Sequence, residues 1–234
     1  MLPEFELCCS EFENYGLTLS RELYNKLDTY AEYLVECNEH INLTAITDPE
    51  EILVKHFIDS ILVAKYWNIH ENARIIDVGT GAGFPSVPLK LYREDLDITL
   101  LDSLNKRINF LTELCGKLDI SAQFIHGRAE DYGKNGEFRE KFDLSCARAV
   151  ANLSTLSEFC MPFVVPGGHF LALKGPNEDI ESGRKAVELL GGIIDDTVSY
   201  ELGGEQRRIV VVKKISQTPP KYPRNSAQIK KKLL

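Results

Sequence analysis

The sequence has no apolar run of the ~18 residues that a membrane-spanning helix requires. Its opening, MLPEFELCCS, has neither the positive n-region nor the apolar h-region of a secretion signal, so a cytoplasmic protein is expected. Six cysteines, at positions 8, 9, 37, 115, 146 and 160, are too sparse for a disulfide-stapled secreted domain and show no C-x-x-C zinc spacing. They read as reduced, several of them as small core residues, and no metal is expected. Cys146 ends an apolar run without an evident base, which makes it core rather than nucleophile. There is no internal repeat, and 234 residues with 44% hydrophobic side chains suit one domain with an extension. No Ser/His/Asp or Cys/His constellation is recognisable either.

Net charge is −8, which on its face speaks against a nucleic-acid partner. Its distribution alters that. From Glu205 to Leu234 the chain holds nine basic side chains against one acid, so the remainder is twice as acidic as the whole. This asymmetry suits an RNA-facing end on an acidic body, and equally a solvated charged tail.

Leu23, Leu27, Tyr30, Leu34 and Cys37 recur at steps of three and four, which predicts an amphipathic helix over 20–38. A second helix starts at Asp48, with Pro49 at its first position, Glu51 three after the cap, and the stripe Ile52, Leu53, Phe57, Ile61, Ala64. These helices form an N-terminal extension, 1–70. From Arg74, short apolar runs alternate with helical periods, the pattern of βαβ units around a parallel sheet buried on both faces. Strands are predicted at 74–78, 97–102, 122–126, 142–147, 168–174, 192–200 and 207–214, and helices at 86–93, 105–118, 152–162 and 177–190. They fill a Rossmann-like α/β domain, 71–216, followed by a basic tail, 217–234. Only Glu201 to Gln206 separate the last two strands, too little for a right-handed crossover, so the final strand should run antiparallel to its neighbour. A seven-stranded sheet closing this way matches, by fold analogy, class I S-adenosylmethionine-dependent methyltransferases rather than dehydrogenases.

The strongest local signal is Ile75-Ile76-Asp77-Val78-Gly79-Thr80-Gly81-Ala82-Gly83-Phe84-Pro85, a strand running into a glycine-rich turn and a helix. Gly79 and Gly81 can take positive φ and carry no Cβ, so a cofactor can approach the backbone at the carboxyl end of the strand. The spacing G-x-G-x-G is one residue short of the pyrophosphate-cradling G-x-G-x-x-G, and S-adenosylmethionine has no phosphate. Asp77 would order the loop or meet the cofactor's ammonium. Asp102, ending the second strand, can accept from both ribose hydroxyls, or else cap the next helix. Gly127-Arg128-Ala129-Glu130-Asp131, after the third strand, offers amides and a carboxylate to an adenine edge. Arg148, at the fourth strand's carboxyl end, would face the cleft.

Asn42-Leu43-Thr44, the run Asp77 to Pro85, Gly127 to Asp131, Arg148-Ala149, Gly167-Gly168, Lys174-Gly175 and Tyr222-Pro223-Arg224 together resemble the 16S rRNA guanine-N7 methyltransferase G family, also called glucose-inhibited division protein B. The likeness runs from about Asn42 to Arg224. It implies cofactor contacts at Gly79, Phe84, Ala129, Glu130 and Arg148. It also implies a bacterial cytoplasmic enzyme acting on the 530 loop of 16S rRNA, as free RNA or as a small ribosomal subunit precursor. After Arg224 the family's usual lysine, glycine and Pro-Leu ending is replaced by Asn225-Ser226-Ala227-Gln228-Ile229-Lys230-Lys231-Lys232-Leu233-Leu234. Guanine N7 has a free lone pair and no proton to lose, so the implied reaction needs orientation rather than a general base, and no catalytic residue is expected. Arg207, Lys221 and Arg224 would hold phosphates, and Lys174, ending the fifth strand, would contact substrate. His56 reads as a hydrogen-bonded helix residue rather than a catalyst. On residues alone two alternatives stay open: an NAD(P)-dependent oxidoreductase, and a non-catalytic ribosome-associated binding module.

Overall fold

In the computed structural model, which describes residues 1–148 and 151–234, the chain begins with a helix for which no expectation stood. This is α1 (Phe5–Asn14), with Cys8 and Phe12 buried and no side-chain cap at Glu4, so neither a long stripe nor a cap announces it. In α2 (Arg21–Ile41) the predicted stripe Leu23, Leu27, Tyr30, Leu34 is buried, and Ser20 caps the helix by accepting from the Leu23 amide. It runs past the predicted end until Asn42 takes the left-handed conformation, φ 54°.

Asp48 caps the second predicted helix, accepting from the Glu50 and Glu51 amides at 3.0 Å. That helix is not continuous: α3 (Pro49–Ile52) passes into a π-helical turn, Leu53–Ile58, before α4 (Asp59–Tyr66). Such turns are frequent at functional sites, and this one carries His56.

The sheet consists of β1 (Arg74–Val78), β2 (Asp97–Asp102), β3 (Gln123–His126), β4 (Phe142–Arg148), β5 (Val164–Lys174), β6 (Gly192–Leu202) and β7 (Glu205–Lys214). Between them lie α5 (Ser86–Tyr92), α6 (Asn105–Lys117), α7 (Ala129–Tyr132), α8 (Leu153–Cys160) and α9 (Ile180–Leu189). Helix α8 stops short of the predicted end because Pro162 turns the chain into a 3-10 segment, Met161–Phe163, and β5 begins at once.

Strand order is β3-β2-β1-β4-β5-β7-β6, parallel from β3 through β5, with β7 antiparallel to both β5 and β6. The closing hairpin is as expected, but its second strand inserts between β5 and β6 rather than adding to the edge. The order reverses between β1 and β4, and a crevice opens there at the carboxyl ends of the parallel strands.

Alternation along each strand divides the interior in two. Ile75, Ile98 and Leu100 pack with α1, α2 and α4 in one cluster, while Ile76, Val78 and Leu101 pack with α8 and α9 in another. The N-terminal helices thus cover one face of the sheet. The tail also folds back: Tyr222 is buried, and α10 (Ser226–Lys231) buries Ile229. Among the described residues, no helix is long and apolar enough to cross a membrane.

Candidate functional site

Strand β1 delivers the chain into the glycine turn, where Gly79, Gly81 and Gly83 take φ of 73°, 60° and 100°. The last two face opposite ways. A Cβ on Gly81 would meet nothing nearer than 4.0 Å, whereas one on Gly83 would sit 2.8 Å from both the Tyr30 hydroxyl and a Val87 methyl. Gly81 therefore keeps space open for a ligand, and Gly83 lets the core close. The Gly79 and Thr80 amides donate to the Leu101 carbonyl at 2.8 and 3.1 Å, and the Gly81 amide to Asp102 Oδ2 at 3.0 Å. From α2, the Tyr30 hydroxyl donates to the Ala82 carbonyl.

Over this turn lies a cavity of about 600 Å³ that brings together Gly79, Gly81, Phe84, Asp102, Ala129, Glu130 and Arg148. Its size suits a nucleoside-sized ligand. Asp102 also holds the turn: besides Gly81 it accepts from the Leu104 amide at 2.9 Å and from Arg107 at 3.3 Å. It does not cap α6, whose cap residue is Leu104.

Asp77 is not in the cavity lining. It sits beneath the turn, fully buried, with Oδ2 accepting from the Thr80 hydroxyl at 3.0 Å and the Ser86 amide at 3.3 Å, while Oδ1 has no partner. Burial pushes its pKa up to about 7, against the opposing pull of those hydrogen bonds and of Arg148. A half-satisfied buried carboxylate below the turn, with Asp102 and Glu130 on the wall, would repel a pyrophosphate. The same set of acceptors fits S-adenosylmethionine, whose sulfonium and ammonium are cationic and which has ribose and amine hydrogens to donate.

Arg148 is held by the N-terminal layer. Its Nη1 donates to the Lys55 carbonyl and Asp59 Oδ2, both at 3.1 Å, and its Nη2 lies 3.2 Å from His56 Nδ1. The same Nδ1 lies 3.2 Å from the Lys55 carbonyl, and Nε2 lies 2.8 Å from the Thr44 hydroxyl, so the ring is held at both nitrogens. Burial and Arg148 lower the His56 pKa to about 3, so the ring is neutral. Its face stacks on Phe84 at 4.4 Å, and the Arg148 guanidinium lies 4.7 Å from the centre of the same ring. Ala149, which belongs to the resemblance, lies outside the described residues.

A family model described as rRNA small subunit methyltransferase G matches residues 23–210. The chain is 45% identical to ribosomal RNA small subunit methyltransferase G of Clostridium botulinum (strain ATCC 19397), over 97% of each chain. It is likewise 45% identical to the protein of that name from Clostridium tetani (strain E88), over 98% of each.

The chain belongs to the rRNA small subunit methyltransferase G family.

It is accordingly an S-adenosylmethionine-dependent methyltransferase, and family membership gives no support to an oxidoreductase or a non-catalytic module. The fold is of class I. TrmN from Thermus thermophilus superposes with TM-score 0.52 at 16% identity, covering 70% of this chain and 53% of that one. TYW2 from M. jannaschii, solved in complex with AdoMet, gives TM-score 0.52 at 14% identity, covering 67% and 77%.

The methyltransferase has a second cavity, of about 520 Å³, that shares Arg148 and His56 with the first and is lined by Lys174 and Arg207. Lys174 Nζ donates to the Ala151 carbonyl and pairs with Glu178 at 3.2 Å, and Arg207 pairs with Glu205 at 2.9 Å. The other two predicted phosphate holders are elsewhere. Lys221 is exposed over the Tyr222 ring, and Arg224 is committed to Glu158, at 2.9 Å from Nε and 2.7 Å from Nη2. Cys146 is buried against the Ser86 hydroxyl at 3.2 Å, and burial pushes its thiol pKa well up, which suits a core residue.

Sequence reasoning missed Asp59, Tyr200 and the Thr44–His56 pair as the support of Arg148. Thr44 lay within a noted motif, but no sequence spacing connects positions 44, 56, 59 and 148. It also missed Ser226, Ile229 and Leu233, which line the first cavity.

Proposed function

We propose that this methyltransferase methylates N7 of a guanine in the 530 loop of 16S rRNA, in free RNA or in a small-subunit precursor, in the cytoplasm. One observation carries the reading: identity of 45% over 97% of the chain to a relative named for small-subunit ribosomal RNA methylation. The two adjoining cavities support it, because one suits a nucleoside cofactor and the other presents cations to an anionic substrate.

S-Adenosylmethionine, when bound, supplies a methyl carbon on a sulfonium, with a neutral thioether as leaving group. The N7 lone pair forms the new N–C bond as the C–S bond breaks, the positive charge passes to the guanine ring, and no proton leaves. The residues therefore bind and align. Gly79 and Gly81 admit the cofactor to the backbone, Asp77 and Asp102 hold the turn, and Asp102, Ala129 and Glu130 meet the adenosine. His56 and Arg148, which line both cavities, stand between them, with Phe84 stacked on both from the cofactor side. Lys174 contacts the substrate, while Arg207 and Lys221 hold phosphates; Arg224, paired with Glu158, fixes the turn that carries Lys221. Alignment of this kind yields effective molarities of ~10⁵–10⁸ M. The base enters from a loop or splayed strand, since a paired helix would crowd the approach to N7.

Deleting the gene and mapping 7-methylguanosine in 16S rRNA by strand cleavage or mass spectrometry tests this. Loss of one modification in the 530 loop, restored by the purified enzyme and labelled cofactor, is the expected result. An unchanged pattern would refute the assignment.

A further inference from the structure

The last ten residues lie beyond the span 23–210 that the family model matches, yet they are firmly seated. The Arg224 pair with Glu158, a carboxylate 1% exposed, anchors the segment from below. Asn225 and Gln228 then form a reciprocal capping box that starts α10, and Ile229 is 3% exposed. Ser226, Ile229, Lys230 and Leu233 all line the cavity above the glycine turn.

The polar contact is directional. Arg128 Nη1 lies 3.4 Å from the Ser226 oxygen and donates to it, and the Ser226 hydroxyl in turn donates to Glu130 Oε1. Arg128 also approaches Oε1 at 3.8 Å. One oxygen of a carboxylate 6% exposed is thus fixed, while Oε2 has no partner among the described residues and remains free to accept from an amine. Around it, Ala129, Phe159, Ile229 and Leu233 supply apolar surface suited to a purine face. The cavity keeps about 600 Å³ with the segment in place, so the segment is a wall and not a plug.

We infer that residues 225–234 form a strap walling the adenosine side of the cofactor cavity, with Ser226 as the positioning residue that orients Glu130 toward the adenine amine. The inference rests on the cofactor reading above. It goes beyond that reading by assigning cofactor affinity to a segment past the span of the family model.

The test is calorimetric titration of the full-length enzyme, Ser226→Ala, Ile229→Ser and a chain ending at Arg224, with S-adenosylhomocysteine and separately with adenosine. Losing a hydrogen bond to a charged group predicts ~tenfold weaker binding of both ligands by Ser226→Ala. Its urea midpoint and its KM for RNA should be unchanged, its KM for cofactor raised, and its kcat retained. Ser226→Thr, which keeps the hydroxyl, should restore affinity. Equal binding by wild type and Ser226→Ala would overturn the role of Ser226, and tighter binding by the shortened chain would show a plug and overturn the strap. Failure of the wild-type enzyme to bind S-adenosylhomocysteine would instead refute the cofactor reading, and the strap with it.

Discussion

Replacing Asp77 by Asn should make the ligand-free enzyme more stable at neutral pH, although Asp77 underlies the cofactor turn. Burial raises the carboxyl from its ordinary 3.8 to about 7. Between those values the unfolded chain has released the proton and the folded chain still holds it, so stability falls as pH rises through this window. Three units at ~1.36 kcal/mol each amount to on the order of 4 kcal/mol, present as stability below pH ~4 and lost by pH ~7. Asn cannot ionise and escapes the loss. Urea unfolding of both proteins at half-unit steps from pH 4.5 to 8.5 isolates this contribution as a difference, since other titrating groups cancel. The variant should gain on the wild type by about 1 kcal/mol per pH unit and level off above pH ~7. Its affinity for S-adenosylmethionine at pH 8 should fall, because the sulfonium cofactor loses the negative charge beneath the turn. A difference in stability that is flat with pH, or that grows toward acid, would refute the reasoning.

Arg148→Ala should cost ~3–5 kcal/mol in urea unfolding and most of the transfer rate, because it strands Asp59, 5% exposed, with only the Tyr200 hydroxyl at 2.8 Å. Arg224→Ala should lower stability by a similar ~3–5 kcal/mol and leave the salt slope of RNA binding unchanged; filter binding of Arg207→Ala or Lys221→Ala should show the slope reduced by about one unit each. Gly83→Ala, forcing a Cβ to 2.8 Å from Tyr30 and Val87, should destabilise by ~1–3 kcal/mol in thermal or urea unfolding. Gly81→Ala should cost ~1–2 kcal/mol in urea unfolding, because φ is 60° there, and should also weaken cofactor binding in calorimetry, since its Cβ enters the open cavity.

Much of the fold was legible because its signals are local. The Asp48-Pro49 cap, the α2 stripe and the strand runs from Arg74 onward each depend on neighbours within a few residues, and the short Glu201–Gln206 loop allowed only a hairpin. Insertion of β7 between β5 and β6 was not legible, because pairing partners far apart in sequence leave no mark in periodicity. Nor was the π turn, which the apolar stripe runs through at Leu53 and Phe57 as if the helix were regular. The glycine turn and the acids Asp102 and Glu130 were readable as a set because they follow successive strands, which a parallel sheet brings to one edge.

The sequence by itself determined the βαβ order, the cofactor class of the turn and the family, since short-range patterning and motif spacing are properties of the chain before it folds. Tertiary structure alone decided that Asp77 lies under the turn rather than in it, that Arg224 is bound to Glu158, and that Arg148 is aimed by His56 and Asp59. It also decided that the tail lines the cavity above the glycine turn. Charge type and position are written in the residues, but whether a charge meets solvent, a partner or a ligand depends on which distant elements pack against it.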